Sequence, residues 1–222
     1  MGSNPILCAL KLIDNMNVNK SIWGIEDKDT LDILGSISIS GDWLNLAAGD
    51  GRYNNILLEK VNKVTVSDID KLVIDKLINN TSEKYKYKLY KSIFDMTTAF
   101  PFKDKSFDGV FCTGTLHLFP KNILLKVISE VKRVLKPNGL IILDFAIDIK
   151  RITEDGKYIS MVENEPKYSL EEGLSFLNTV FKNYKLEIHK CRVPKEFIDI
   201  GEVKYLFTCN YLLLLARYKS VV

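Results

Sequence analysis

The sequence has few of the features that mark disulfide-stapled proteins, zinc domains and membrane proteins. Its four cysteines, Cys8, Cys112, Cys191 and Cys209, lie far apart and never approach the short paired spacings of zinc sites. We expect free thiols in a reducing cytosol. The longest apolar run, around residues 211–216, falls well short of the roughly 20 residues that span a bilayer, and it predicts a core strand. The sequence therefore predicts neither a metal site nor a membrane segment.

An excess of charge of one sign is also missing. The chain has 31 Lys and Arg against 28 Asp and Glu, interspersed rather than in blocks, so no strong field for nucleic acid or membrane is expected. No basic and apolar leader opens the sequence, and a cytoplasmic location is expected. A chain of 222 residues with 46% hydrophobic content can bury one substantial core. We expect one domain overall, with an N-terminal helical cap over residues 1–40 and the main unit over 41–222.

After Gly41 the sequence alternates short apolar strands with amphipathic helices, which is typical of a parallel sheet covered on both faces. The two late strands, at residues 184–190 and 205–218, have no helical segment between them, so they should pair antiparallel. The predicted fold is an α/β, Rossmann-like doubly wound sheet. It has seven mostly parallel strands, ends in an antiparallel hairpin and carries helices on both faces.

The segment Lys84-Tyr-Lys-Tyr-Lys-Leu-Tyr-Lys91 alternates basic and aromatic residues. The favoured prediction is an edge strand whose lysines face solvent and discourage pairing with another chain. The alternative is a surface on which the bases of a nucleic acid stack.

The segment most informative about function runs from the strand at Trp43 to Ala47 into Gly49-Asp-Gly51 and then into a helix. Glycine is expected at positions 49 and 51 because a side chain there would hold a cofactor away from the strand end and the helix start. The dinucleotide fingerprint fails, since its third glycine is replaced by Asn54. No Gly-Lys-Ser or Gly-Lys-Thr follows the strand either, which excludes a Walker loop.

From about residue 40 to 218 the chain resembles the class I S-adenosylmethionine-dependent methyltransferases, in the broad subgroup whose small members resemble ubiquinone and menaquinone methyltransferases. Each motif is short, and their order and spacing carry the resemblance. In chain order they are Asn45-Leu-Ala-Ala-Gly-Asp-Gly51, Val66-Ser-Asp68, Asp95-Met96, Phe100 to Val110, Glu130 to Gly139 and Tyr211 to Arg217. The resemblance implies S-adenosylmethionine as the cofactor.

Two acidic positions are expected to bind the adenosine part of this cofactor. Asp68 follows Gly51 by one helix and one strand, which returns it to the same sheet edge, where a carboxylate can accept from both ribose hydroxyls. Its alternative role is to cap the following helix. Asp95 should accept the adenine amine while the Met96 backbone amide contacts the ring, and the alternative for Asp95 is a turn aspartate.

Two positions depart from the family pattern. Asn45 stands where the family has an acid that holds the amino-acid end of the cofactor, and Ala47 stands where it has its first glycine. Losing the charge should weaken binding by about 1 kcal/mol, with Asp50 a nearby acid that can partly compensate. The resemblance also places Ile69 and Thr113 among the cofactor contacts.

The sulfonium donor is already activated, so the enzyme must align a nucleophile and manage at most one proton. The segment 112–118 should face the methyl group, and it lacks the Asp/Asn-Pro-Pro-Tyr/Phe signature of enzymes that methylate bases. His117 is the candidate catalytic base near neutral pH, with a packing role as the alternative.

The acceptor pocket is expected to come from residues 5–36, 149–168 and 194–204, which extend beyond the shared sheet. A hairpin around Asp155-Gly156 is a candidate lid. The candidate acceptor contacts within this region are Arg151, Tyr158 and Tyr168.

The predicted function is methyl transfer to an O or N nucleophile of a small molecule. The alternatives are an RNA or protein acceptor, and a non-catalytic binding subunit that keeps the methyltransferase fold. The sequence leaves the acceptor and the oligomeric state open.

Overall fold

The structure of the protein is a computed structural model that describes residues 27–160, 164–200 and 203–218. Within these residues the strands are β1 Asp42–Leu46, β2 Lys63–Asp68, β3 Leu89–Ile93, β4 Phe107–Cys112, β5 Leu135–Ile152, β6 Tyr184–Ile200 and β7 Val203–Tyr218. The α-helices are α1 Lys28–Ser36, α2 Asn54–Lys60, α3 Lys71–Asn80, α4 Lys121–Val134 and α5 Leu170–Val180. Two 3-10 helices cover Glu83–Lys88 and Leu116–Leu118. Most of the predicted N-terminal cap, residues 1–26, lies outside the described part.

The strands form one sheet in the order β3-β2-β1-β4-β5-β7-β6. β1 to β5 pair in parallel, and β7 pairs antiparallel with both β5 and β6. The predicted seven-stranded, mostly parallel sheet that ends in an antiparallel hairpin is confirmed. Since β1 lies between β2 and β4, the strand order reverses there, and the carboxyl ends of these strands border the crevice where open α/β sheets bind ligands.

Two hydrophobic cores, one on each face, hold the sheet between helices. Leu44 and Leu46 of β1 point into the core that α4 and α5 cover, whereas Trp43 points into the core that α1, α2 and α3 cover. Gly109 of β4 lies directly beside Trp43, and a Cβ there would come within 2.2 Å of the indole ring. Glycine at this position therefore makes room for the largest side chain of the core.

The helix starts follow local sequence signals. Asp70 caps α3 by accepting a hydrogen bond from the Leu72 backbone N–H at 2.7 Å. Ser169 and Glu172 form a capping box at the start of α5. None of the helices in the described ranges combines the length and the apolarity needed to cross a bilayer.

The prediction of a single strand over Lys84–Lys91 is wrong. Glu83–Lys88 forms a 3-10 helix, and only Leu89–Ile93 forms the edge strand β3. The Lys88 ammonium donates to the carbonyls of Leu58 and Val61 at the end of α2, which helps fix this segment against the helix instead of in the sheet. The edge position predicted for this region holds for β3.

Candidate functional site

The turn between β1 and α2 has a left-handed backbone conformation that residues with a side chain rarely adopt. Ala47, Gly49 and Gly51 have φ values of 51°, 54° and 91°, all in the left-handed region. The Gly51 N–H donates to the Ala48 carbonyl at 3.1 Å, and the Ala48 N–H donates to the Ser67 carbonyl of β2 at 2.8 Å. The loop is thus a tight turn fixed to the end of the neighbouring strand. We call residues 47–51 the glycine loop.

Ala47 differs from the family glycine in more than its methyl group. An L-residue with a side chain pays about 1–2 kcal/mol to adopt left-handed backbone, whereas glycine adopts it freely. The sequence comparison could not show this cost, because φ cannot be read from the sequence. The loop keeps its conformation despite Ala47, which shows how strongly its surroundings determine it.

Gly51 is required by the protein itself, which corrects the sequence-based reason given for it. A Cβ at this position would lie 2.7 Å from Cγ of Leu77 and 3.3 Å from Cβ of Asn54. The close approach here is between the loop and α3, so close packing and a positive φ together explain this glycine.

Asp68 ends β2 beside the glycine loop. Its Oδ2 accepts from the Gly49 N–H at 3.0 Å, and its Oδ1 accepts from the Asp70 N–H at 3.1 Å. Burial raises the pKa of this carboxyl, and the backbone N–H donors offset part of that rise. The cap of α3 is Asp70, so the alternative role of Asp68 as the cap is excluded. The structure brings the loop and this carboxylate together, as the ribose-binding prediction requires.

Asp95 and Met96 lie at the same sheet edge, directly after β3. The Phe94 N–H donates to the Asp68 carbonyl at 3.1 Å, which links the two segments. Asp95 Oδ1 accepts from the N–H and the hydroxyl of Thr97 at 2.8 and 2.7 Å. Asp95 is therefore also a turn aspartate, which was the alternative role predicted for it. Its Oδ2 accepts no hydrogen bond from the described residues. The Met96 side chain is buried in the core, which leaves its backbone for a ligand contact.

The two polar residues expected near the amino-acid end of the cofactor differ in environment. Asn45 is buried in the middle of the sheet, paired with Val66 of β2 and Phe111 of β4. Asp50 is also buried, and its Oδ2 accepts from the Lys76 ammonium of α3 at 3.2 Å. The charge of Asp50 is therefore matched by Lys76, which weakens its predicted role of compensating for Asn45.

A polar cluster that the sequence did not single out lies at the same edge. The Tyr53 hydroxyl donates to Asp27 Oδ2 at 2.8 Å, and the Arg52 guanidinium lies 3.6 Å from the same oxygen and 4.8 Å from the centre of the Tyr53 ring. Asp144 of β5, only 5% exposed, accepts from the Gly114 N–H at 2.7 Å. The signal for Asp144 was present in the sequence, since it is a lone acid in the apolar run Leu140-Ile-Ile-Leu-Asp-Phe-Ala146.

His117 lies in the 3-10 helix after β4 and is 8% exposed. Its Nδ1 is buried without a hydrogen-bond partner among the described residues. Burial, helped by nearby Arg151, lowers the pKa of this imidazole to about 3. The ring is therefore neutral at physiological pH and a weak base, and the near-neutral titration on which its catalytic role was predicted is absent. Its environment matches the packing alternative.

The candidate acceptor residues are tied to the protein itself. The predicted hairpin is confirmed. The Thr153 N–H donates to the Lys157 carbonyl at 2.9 Å, and Ile152 pairs with Tyr158 in an isolated antiparallel β-bridge. Arg151 forms a buried ion pair with Glu165, in which Nη1 donates to both carboxylate oxygens at 2.9 and 2.8 Å. The remaining two are anchored through hydroxyls that donate to backbone carbonyls, Tyr158 to Ile149 and Tyr168 to Phe119.

Thr113 and Ile69 follow β4 and β2, respectively, at the same edge and are partly exposed. An open groove lies between Asp148 and the first turn of α5, and none of the predicted cofactor residues lines it. The residues predicted to bind the cofactor thus share the edge formed by β1, β2, β3 and β4.

Residues 44–143 match a protein family described as a methyltransferase domain. This central part of the chain is thus similar to a methyltransferase domain. The matched segment runs from β1 into β5 and includes every residue predicted to contact the cofactor. The predicted enzyme class is thereby confirmed, whereas the ubiquinone and menaquinone subgroup stays a prediction. No curated protein matches the sequence significantly.

Solved structures of similar fold agree with the observed architecture. YcgJ from Bacillus subtilis is 14% identical, with a TM-score of 0.64 over 87% of this chain and 98% of its own. DhpI in complex with SAH (S-adenosylhomocysteine) is 18% identical, with a TM-score of 0.59 over 86% and 83%. An S-adenosylmethionine-dependent methyltransferase from Methanosarcina mazei is 15% identical, with a TM-score of 0.58 over 84% and 97%. At these identities the likeness establishes the fold.

Proposed function

We propose that this methyltransferase domain binds S-adenosylmethionine at the glycine loop and transfers its methyl group to an O or N nucleophile of a small molecule. The observation that carries the proposal is the contact between Gly49 and Asp68, which brings the loop after β1 and the acid after β2 to one edge. The SAH and SAM complexes of DhpI, a protein of the same fold, support the choice of cofactor.

Each adenosine contact has a residue suited to it. A carboxylate has about four acceptor positions, so Asp68 can keep its Gly49 and Asp70 contacts and still accept from the ribose hydroxyls. Asp95 Oδ2 is the acceptor for the adenine amine, because Oδ1 is held in the turn. The Met96 N–H and the apolar Ile69 flank the base, and Thr113 contacts the cofactor from the end of β4.

The methyl group of a sulfonium needs no further activation, so the protein's contribution is alignment and exclusion of water. The acceptor pocket is formed by the N-terminal segment and by the hairpin that follows β5, and residues 1–40 act as a cap on the main domain. The order of motifs favours the subgroup that resembles the ubiquinone and menaquinone methyltransferases, and the acceptor within that subgroup stays open. A cytoplasmic location stays a prediction from the sequence.

The cofactor half of the proposal is tested by titration calorimetry with S-adenosylhomocysteine. Asp68→Asn removes the charge that accepts the ribose hydroxyls and should weaken binding about tenfold or more, because hydrogen bonds to charged groups contribute about 1.5–3 kcal/mol. Asp70→Asn is the matched control, two residues away, and retains a capping oxygen. Its affinity should stay at the wild-type level. Absence of heat for the wild-type protein at millimolar ligand would refute the proposal.

An RNA acceptor is the second candidate, favoured by one surface. Tyr87 is 75% exposed beside Lys88, and Lys63 lies 4.0 Å over the exposed ring of Tyr90. Retention of tRNA that falls steeply with salt, and is lost when Lys63 and Lys84 are replaced, would favour it. No retention at low salt would remove it. A non-catalytic binding subunit, suggested by Asn45 and Ala47, predicts cofactor binding without methyl transfer to any acceptor.

A further inference from the structure

Asp144 has an unusual environment among the buried acids of the described chain. Asp50 faces the ammonium of Lys76, and Glu165 faces the guanidinium of Arg151. Asp144 instead lies within an apolar strand, and its one hydrogen bond is from the Gly114 N–H to Oδ1. Its Oδ2 accepts no hydrogen bond from the described residues. A lone carboxyl group inside an apolar strand is costly to desolvate, and its retention points to a use.

The place of Asp144 in the fold suggests what that use is. Gly114 lies just past β4, and among the described residues a Cβ built on it would meet only the Arg52 guanidinium, at 3.8 Å. Arg52 directly follows the glycine loop, so residues from the ends of β1, β4 and β5 meet around Gly114. This is the side of the crevice next to β4, where the segment 112–118 is expected to face the methyl group.

Methyl transfer from a sulfonium to a hydroxyl or amine releases one proton. We propose that Asp144 accepts that proton and is the general base of the reaction, an inference that rests on the proposed function. The acceptor oxygen or nitrogen attacks the methyl carbon, the carbon–sulfur bond breaks, and its electron pair remains on sulfur, which becomes the thioether of S-adenosylhomocysteine. The acceptor proton moves to Oδ2 of Asp144, while Oδ1 stays bonded to Gly114.

The surroundings of Asp144 support this role. Burial raises the pKa of its carboxyl to about 7, with Arg52 lowering it and Asp27 raising it. Cys112 of β4 and Cys209 of β7 also face it, and burial holds both thiols neutral by raising their pKa values, that of Cys209 to about 12. A base whose pKa lies close to the working pH is efficient, which distinguishes Asp144 from His117.

The test uses sinefungin, an analogue of S-adenosylmethionine that carries a primary ammonium group at the position of the transferred methyl. If Asp144 faces that position, its carboxylate should pair with this ammonium. The wild-type protein should therefore bind sinefungin about tenfold more tightly than S-adenosylhomocysteine at about pH 8, as expected for a charge-assisted contact. The preference should shrink towards about pH 6 as the carboxylate is protonated.

Asp144→Asn should lose this preference at every pH and keep its affinity for S-adenosylhomocysteine, because Asn retains an oxygen for the Gly114 N–H. Asp148→Asn is the matched control, an exposed acid on the same strand, and should behave as wild type. A preference for sinefungin that survives in Asp144→Asn overturns the proposal. So does a parallel loss of both ligands, since that marks a cofactor contact rather than a base.

Two further outcomes of the experiment also have a defined interpretation. If Asp144→Asn does not fold, the pKa of Asp144 is followed by carbon NMR in the wild-type protein, where sinefungin should lower it and an unchanged value overturns the proposal. If the wild-type protein binds neither ligand, the proposed function itself fails.

Discussion

Replacing Asp144 by asparagine is expected to stabilise the fold by an amount that grows with pH. The pKa of the carboxyl is raised from 3.8 to about 7 in the folded protein, mainly because burial disfavours the charged form. Between these two values the folded protein holds a proton that the unfolded chain has released. The stability of the wild-type protein therefore falls as the pH rises through this window. Asparagine does not titrate, so the stability of the variant does not fall with pH for this reason.

The magnitude follows from the pKa difference. At 1.36 kcal/mol per pH unit, a rise from 3.8 to about 7 corresponds to about 4 kcal/mol, reached in full above about pH 7. For a chain of this size 1 kcal/mol shifts the melting temperature by about 2–4 °C. The variant should therefore melt about 10 °C above wild type at about pH 8, and the gap should close towards about pH 4.

The assay is thermal and urea unfolding of both proteins across this pH range, each followed by circular dichroism. Asp148→Asn provides the control for losing an acid from the same strand, and its stability should track wild type. Parallel pH profiles for wild type and Asp144→Asn would refute the reasoning, because they would mean that Asp144 titrates alike in the folded and unfolded chains.

The glycine loop gives two further predictions, both read from unfolding free energies. Ala47→Gly should stabilise the fold by up to about 1 kcal/mol, since relief of left-handed strain exceeds the added entropy of the unfolded chain; an unchanged or lower stability contradicts the strain. Gly51→Ala should destabilise by about 2 kcal/mol or more, because its Cβ meets Leu77. Gly156→Ala shares the positive φ but has open space around it, so an equal loss there would exclude the steric contribution.

The alternation of strands and helices made most of the fold predictable. Apolar runs such as Leu140–Ala146 and cap signals such as Ser169 with Glu172 depend on neighbouring residues, which the sequence displays directly. The 3-10 helix at Glu83–Lys88 was missed because Lys88 bonds to carbonyls of α2, a contact between distant segments. Local pattern cannot reveal such an interaction.

The features of the site also fall into those that the sequence predicts and those that depend on tertiary packing. The meeting of the glycine loop with Asp68 was predictable because parallel topology brings successive strand ends to one edge. The weak basicity of His117 was not, since it depends on how much protein surrounds the ring. The role of Leu77 in fixing Gly51 and the orientation of Asp144 toward Gly114 also depend on tertiary packing.

A crystal structure of the protein grown with S-adenosylhomocysteine tests the cofactor site most directly. The ribose hydroxyls should lie within hydrogen-bond distance of Asp68, the adenine amine beside Asp95, and the sulfur near Gly114. Density for the ligand at any other place, or with the ribose turned away from Asp68, would contradict the proposed binding site.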